Sequence, residues 1–139
     1  VTMEELEPKL AGQAREYKGN VVIGTVKGDI HDLGKNIVVM LLKGAGYNVI
    51  DLGVDVSHDK IVEAAKENDA PLVALSVLLT ACLESMKDAV KAVKDAGLKT
   101  KVLIGGPIID DKVIEYCGAD FGSTIAGDAV KVADRVTAG

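Results

Sequence analysis

Short, almost unbroken apolar runs alternate along the chain with longer amphipathic stretches, and this alternation restricts the fold more than any other feature. A run of Val and Ile with no intervening polar residue suits a strand covered on both faces, and strands separated by helical stretches pair in parallel. Five strand-then-helix units follow. Strand 1 is Asn20 to Val26, and the helix after it, Lys35 to Ala45, is stopped by Gly46. Strand 2, Tyr47 to Leu52, leads to a helix over Asp59 to Asn68, which Ser57 is placed to cap. Pro71 admits strand 3, Leu72 to Val77, followed by a helix from Leu83 to Ala96 that Gly97 ends. Strand 4, Lys101 to Ile104, precedes a short helix from Asp110 to Tyr116. Strand 5, Ala119 to Gly122, precedes the last helix, Ala126 to Val136.

With right-handed crossovers, such units give an α/β doubly wound five-stranded parallel sheet, and the flavodoxin-like (Rossmann-like) order 2-1-3-4-5 suits a chain of 139 residues. Ligands of this architecture bind beyond the carboxyl ends of the strands. Here those ends carry Gly28 to Gly34, Ser76 to Cys82, and Gly105-Gly106-Pro107. Residues 1–19 look different: Met3, Leu6 and Leu10 have helical spacing, but the segment is charged and reads as a connector to the domain at 20–139.

Composition removes several functions. Lys and Arg number 16 against 21 Asp and Glu, a net charge of -5, which opposes tracking a nucleic-acid backbone. The longest apolar run, Ile37 to Leu42, is too short to cross a membrane, and no secretory signal opens the chain. Cys82 and Cys117 lie far apart without metal-site spacing and suit a reducing compartment. A soluble cytoplasmic domain is expected. There are 15 Gly, but no Trp, one Phe and three Tyr, so a ligand is not held by aromatic stacking.

That scarcity argues against a flavin site, as does the lack of Ser or Thr in the loop after strand 1. A phosphate loop needs four residues between its glycines and a Ser or Thr after the Lys. The stretch from Gly28 has five intervening residues, Asn36 at the hydroxyl position, and the negative charges of Asp29 and Asp32. The GxGxxG fingerprint of dinucleotide sites is absent. A phospho-accepting receiver would need an Asp ending strand 3 and a Lys ending strand 5, and neither is present.

Asp29 and His31 stand two apart at the topological switch point, between Gly28 and Gly34. One imidazole nitrogen can bind a metal while the other donates to the carboxylate, which fixes the tautomer and strengthens the ligand. One histidine cannot hold a bare ion, and His58 has no ligand spacing to it, so a metal would arrive in its own macrocycle. The same residues equally suit helix capping, with Asp29 and Asp32 before the first helix and His31 on a loop carbonyl.

The stretch from Gly24 to Val38, with its Asp-x-His-x-x-Gly core, resembles the signature of cobalamin-binding domains of methionine synthase and of the corrinoid proteins of methanol and methylamine methyltransferase systems. The similarity runs over about residues 19 to 136, with three motifs agreeing in order and spacing. It implies a corrinoid methyl carrier. By that resemblance, cobalamin is expected to be bound base-off, with His31 replacing the cofactor's own base as the lower ligand of cobalt and Asp29 as its hydrogen-bond partner. A methyl group is carried between donor and acceptor as methyl-Co(III), with Co(I) as the returning state and Co(II) the oxidised form that needs rescue. Gly28, Ile30, Asp32, Leu33 and Gly34 complete the loop at the cofactor. Ser76, Leu78 and Thr80 are expected to line a slot for the displaced nucleotide tail, Gly105 and Gly106 to let it pass strand 4, and Phe121 and Gly122 to flank its base.

Implied partners are a donor-side methyltransferase, an acceptor-side methyltransferase and a reductive activation protein, with no nucleic acid or membrane. The sequence departs from the family twice. Cys82 stands where the His-Asp relay commonly continues to a Ser, and a thiol is a much weaker donor. The helical cap that usually precedes the domain is reduced to the connector, so the chain is expected to be a fragment or to have its methyl group shielded by a partner. A subunit of an adenosylcobalamin-dependent mutase and a cobalamin-sensing regulatory module share the fold and the His ligand and remain the alternatives. The continuation Lys35-Asn36-Ile37-Val38 looks like the methyltransferase branch.

Overall fold

A computed structural model describes residues 19–28, 33–125 and 127–138. They form a five-stranded parallel sheet, β1 (Asn20–Thr25), β2 (Asn48–Asp51), β3 (Leu72–Ser76), β4 (Lys101–Gly105) and β5 (Phe121–Ser123), in the order β2-β1-β3-β4-β5. The expected topology is therefore observed. The connecting helices are α1 (Leu33–Gly44), α2 (His58–Glu67), α3 (Leu83–Asp95), α4 (Asp111–Cys117) and α5 (Asp128–Ala138).

Element ends differ from the expectations by a residue or two, and the end of the chain differs most. Gly118 closes α4 in the left-handed conformation (φ 74°), and Asp120 turns its carboxylate back to the Val102 N–H at 2.8 Å and to Lys94. Ala119 and Asp120 are used in that turn, so β5 begins at Phe121 rather than Ala119 and reaches Ser123. The last helix begins at Asp128 rather than Ala126. Ser57 caps α2 as expected, its hydroxyl accepting from the Lys60 N–H. Residues 1–18, the bulk of the expected connector, lie outside the described residues.

Alternation along each strand sends side chains to two layers. Val22, Val73, Leu75, Val102 and Ile104 pack with Ile61, Met86, Val90 and Val93 beneath α2, α3 and α4. Val21, Ile23, Leu72, Ala74 and Leu103 pack with Val39, Leu42, Ala129 and Ala133 beneath α1 and α5. At the amino end of this second layer, buried Tyr47 donates to Asp134 Oδ1 at 2.5 Å. Burial and the Asp134 carboxylate push that phenol above its ordinary value. Among the described residues no helix is long and apolar enough to cross a membrane.

Candidate functional site

The strands are paired in register, so residues at one level form rows across the sheet. On the α1 and α5 face one row is Ile23, Ala74, Leu103 and Phe121, and the next toward the carboxyl ends is Thr25, Ser76, Gly105 and Ser123. Three of the four columns lose bulk toward the strand ends, Ile23 to Thr25, Leu103 to Gly105 and Phe121 to Ser123, and the helices do not close the gap. The result is a cavity of about 390 Å³ at the carboxyl edge, walled by Ile23, Ala74 and Leu103 below, Lys35 and Val38 of α1 at one side, and Thr124, Ile125 and Ala129 at the other. Such a volume lies in the range of about 300–1,000 Å³ typical of small-ligand pockets.

Of the expected site residues, Gly34, Ser76, Leu78, Gly105 and Gly106 lie in the wall of this cavity. The hydroxyl of Ser76 has no hydrogen-bond partner among the described residues. The two glycines serve different ends. A Cβ on Gly105 would make an ordinary contact, 3.7 Å from the Ser123 carbonyl oxygen. A Cβ on Gly106 (φ +146°) would fall 1.9 Å from the Val77 carbonyl oxygen, so glycine there is required by the protein's own backbone.

Thr80 and Cys82 form a short 3₁₀ turn that leads into α3, away from the cavity wall. Cys82 is buried at the start of that helix, and its Sγ would lie 3.4 Å from a Cβ on Gly28. Phe121 packs into the layer beneath α1 and α5 without reaching the cavity. Gly122 faces the opposite side, where a Cβ would lie 2.4 Å from Ile114 Cγ1. The wall at this end is instead Ser123, Thr124 and Ile125, which the sequence reading missed. Ser123 Oγ accepts from the Ile125 N–H at 2.9 Å and donates to Asp128 Oδ2 at 2.5 Å, pinning the turn into α5. Asp29, Ile30, His31 and Asp32 lie outside the described residues, and Leu33 opens α1.

Lys35 was also missed. It is only 3% exposed, and its Nζ lies 2.9 Å from both carboxylate oxygens of Asp51 and 2.7 Å from Asn36 Oδ1. Three acceptors match the three protons of the ammonium. Burial raises the Asp51 pKa, but the Lys35 and Gly53 hydrogen bonds and the charges of Lys35 and Lys43 outweigh it and hold the carboxyl below its ordinary value.

A doubly wound domain with an apolar cavity at the strand ends beside its switch point belongs to the class that binds a small ligand or cofactor there. Residues 19–133 match the model of the B12 binding domain, and the chain belongs to that family. It is 39% identical over 136 residues to a corrinoid protein of Desulfitobacterium hafniense, covering 94% of this chain and 63% of that protein. It is 38% identical over 133 residues to dimethylamine corrinoid protein 3 of Methanosarcina acetivorans, covering 94% and 62%. The structure superposes on the methanol:cobalamin methyltransferase complex of Methanosarcina barkeri with a TM-score of 0.87 at 32% identity, covering 93% of this chain and 50% of that one. The chain thus spans about six-tenths of the length of those curated relatives.

A corrinoid is the cofactor of this family, and the residues present fit one. The cavity can take a flat, mostly apolar ring system with a few polar edges, the chemistry of a nucleotide base, and the Ser76 hydroxyl is available to it.

Proposed function

We propose that this chain is the corrinoid-carrying module of a methyltransferase system, holding cobalamin base-off with His31 as the lower cobalt ligand and Asp29 as the partner of His31. The cavity carries the reading: a mostly apolar slot at the carboxyl ends of the strands, bounded by small residues from β3, β4 and β5, supports a place for the displaced nucleotide tail. When bound, the corrinoid supplies a cobalt that accepts a methyl group and gives it up again. The protein's own part is to hold and orient. Ser76 offers its hydroxyl to the tail, Ile23, Ala74 and Leu103 keep water from the slot floor, and Gly105 leaves the passage over β4 open.

The name of the similar methanol:cobalamin methyltransferase complex supports a methyltransferase system as the setting, and that of the dimethylamine corrinoid protein supports a corrinoid component. Partners are then a donor-side and an acceptor-side methyltransferase and a reductive activation protein. The test compares cobalamin with cobinamide, which lacks the nucleotide tail. The chain is expected to bind cobalamin at least about tenfold more tightly, and Gly105→Leu, which fills the slot, to remove that preference. Equal affinities, unchanged in Gly105→Leu, overturn the tail assignment. Retention of a protein nitrogen on cobalt in His31→Ala overturns the ligand assignment.

A further inference from the structure

The polarity of the cavity at the carboxyl edge changes with depth. Its floor is the row Ile23, Ala74 and Leu103, whose side chains carry no polar atom and are no more than 4% exposed. One step nearer the strand ends the wall turns to Ser76, Gly105 and Ser123. A ligand that reaches the floor finds no hydrogen-bonding side chain there.

The acceptors of the second row are already engaged. The Ser76 carbonyl accepts from the Val26 N–H at 3.1 Å, the Gly105 carbonyl from the Val77 N–H at 3.0 Å, and the Ser123 carbonyl from the Gly106 N–H at 3.2 Å. Ser123 Oγ accepts from the Ile125 N–H and donates to Asp128. Lys35 supplies the one charge in the wall among the described residues, and its ammonium is taken up by both Asp51 oxygens and by Asn36 Oδ1. Thr124 is exposed, so water is available to its hydroxyl. The Ser76 hydroxyl is what remains for a ligand.

This accounting bears on which base the slot takes, and it rests on the tail assignment proposed above. Dimethylbenzimidazole has a wholly apolar benzo edge, with both of its nitrogens at the other end. Adenine carries an amine and two ring nitrogens on the corresponding edge. Against the apolar floor those groups lose their water and gain one hydroxyl at most, and a buried polar group left unpaired weakens binding. We propose that the slot selects the base of the tail: it takes one with an apolar edge, of the benzimidazole class, and discriminates against a purine, with Ala74 and Leu103 of the floor setting the choice.

The experiment measures dissociation constants of the full chain, by visible-absorbance titration, for cobalamin (dimethylbenzimidazole base), pseudocobalamin (adenine base) and cobinamide (no tail). Each constant is corrected for the fraction of free cofactor whose base is detached from cobalt. Cobalamin is expected to bind at least about tenfold more tightly than pseudocobalamin, the effect of one unpaired polar group. Ala74→Ser and, independently, Leu103→Thr put a hydroxyl on the floor, and each is expected to narrow that ratio by about threefold or more. Equal constants for cobalamin and pseudocobalamin, both tighter than cobinamide, overturn the base selection and leave the tail assignment standing. Equal constants for all three overturn the tail assignment and the selection with it. A preference for cobalamin that neither variant changes shows that the floor does not set the choice.

Discussion

The two faces of the sheet are built from the same strands but end differently at the carboxyl edge. Beneath α2, α3 and α4, the row Gly24, Leu75, Ile104 and Gly122 is packed so closely that Ile114 occupies the space a side chain on Gly122 would need. Beneath α1 and α5, three members of the next row, Ser76, Gly105 and Ser123, line an open cavity. Among the described residues the closed layer gathers 19 buried residues and the open one 10, so most of the hydrophobic stabilisation sits on the face that has no site. The open face can then keep space for a ligand without losing the fold.

The largest expected effect comes from the residue both faces depend on. Gly106 passes against the Val77 carbonyl, and no side chain fits, so Gly106→Ala must move backbone and is expected to cost about 4 kcal/mol or more in urea unfolding. On the closed face, Met86→Ala removes a fully buried side chain and is expected to cost about 2–5 kcal/mol, with cobalamin affinity unchanged where the protein remains folded. A loss of affinity as large as the loss of stability would show that the faces are not independent.

A closer contrast sets two strand-end glycines against each other. Gly122→Ala drives a methyl group into Ile114 and Ile109 and is expected to destabilise by about 1–3 kcal/mol. Gly105→Ala meets only ordinary contact, so its stability is expected to stay within about 1 kcal/mol of wild type. Similar losses in the two variants would mean that the cavity closes over Gly105 in solution.

Strand order and the ligand-bearing edge were legible in the sequence because hydrophobic period and glycine punctuation are local signals. The cavity wall was legible only in part, because it depends on register. Nothing local says that Ser76 lies beside Gly105 and Gly105 beside Ser123, so attention fell on Phe121 and Gly122, one step short of the wall. Lys35 left a fainter trace. It falls in line with Val39 and Leu42 on the buried stripe of α1, where a charge needs a partner, and Asp51 ends the neighbouring strand with an opposite one. The clash at Gly106 has no trace in a single sequence.

The smallest effect concerns how the open face is fastened at its edge. The Asp51 carboxyl is held below its ordinary value in the folded protein, whereas in the unfolded chain it titrates near the usual value of about 3.9. The unfolded chain therefore takes up the proton first as the solution is acidified. The stability this group contributes is fully present above about pH 4 and is lost as the pH falls through the folded value. Lys35→Met keeps the length of the buried stem and removes the ammonium. Because Asp51 is 36% exposed, water takes over much of its solvation, and the loss at pH 7 is expected to be on the order of 1 kcal/mol or less. Urea unfolding of both proteins at pH 7 and at pH 3 decides the point: the gap between them should narrow in acid, and a gap of constant size would mean that Lys35 stabilises α1 by packing rather than by its charge.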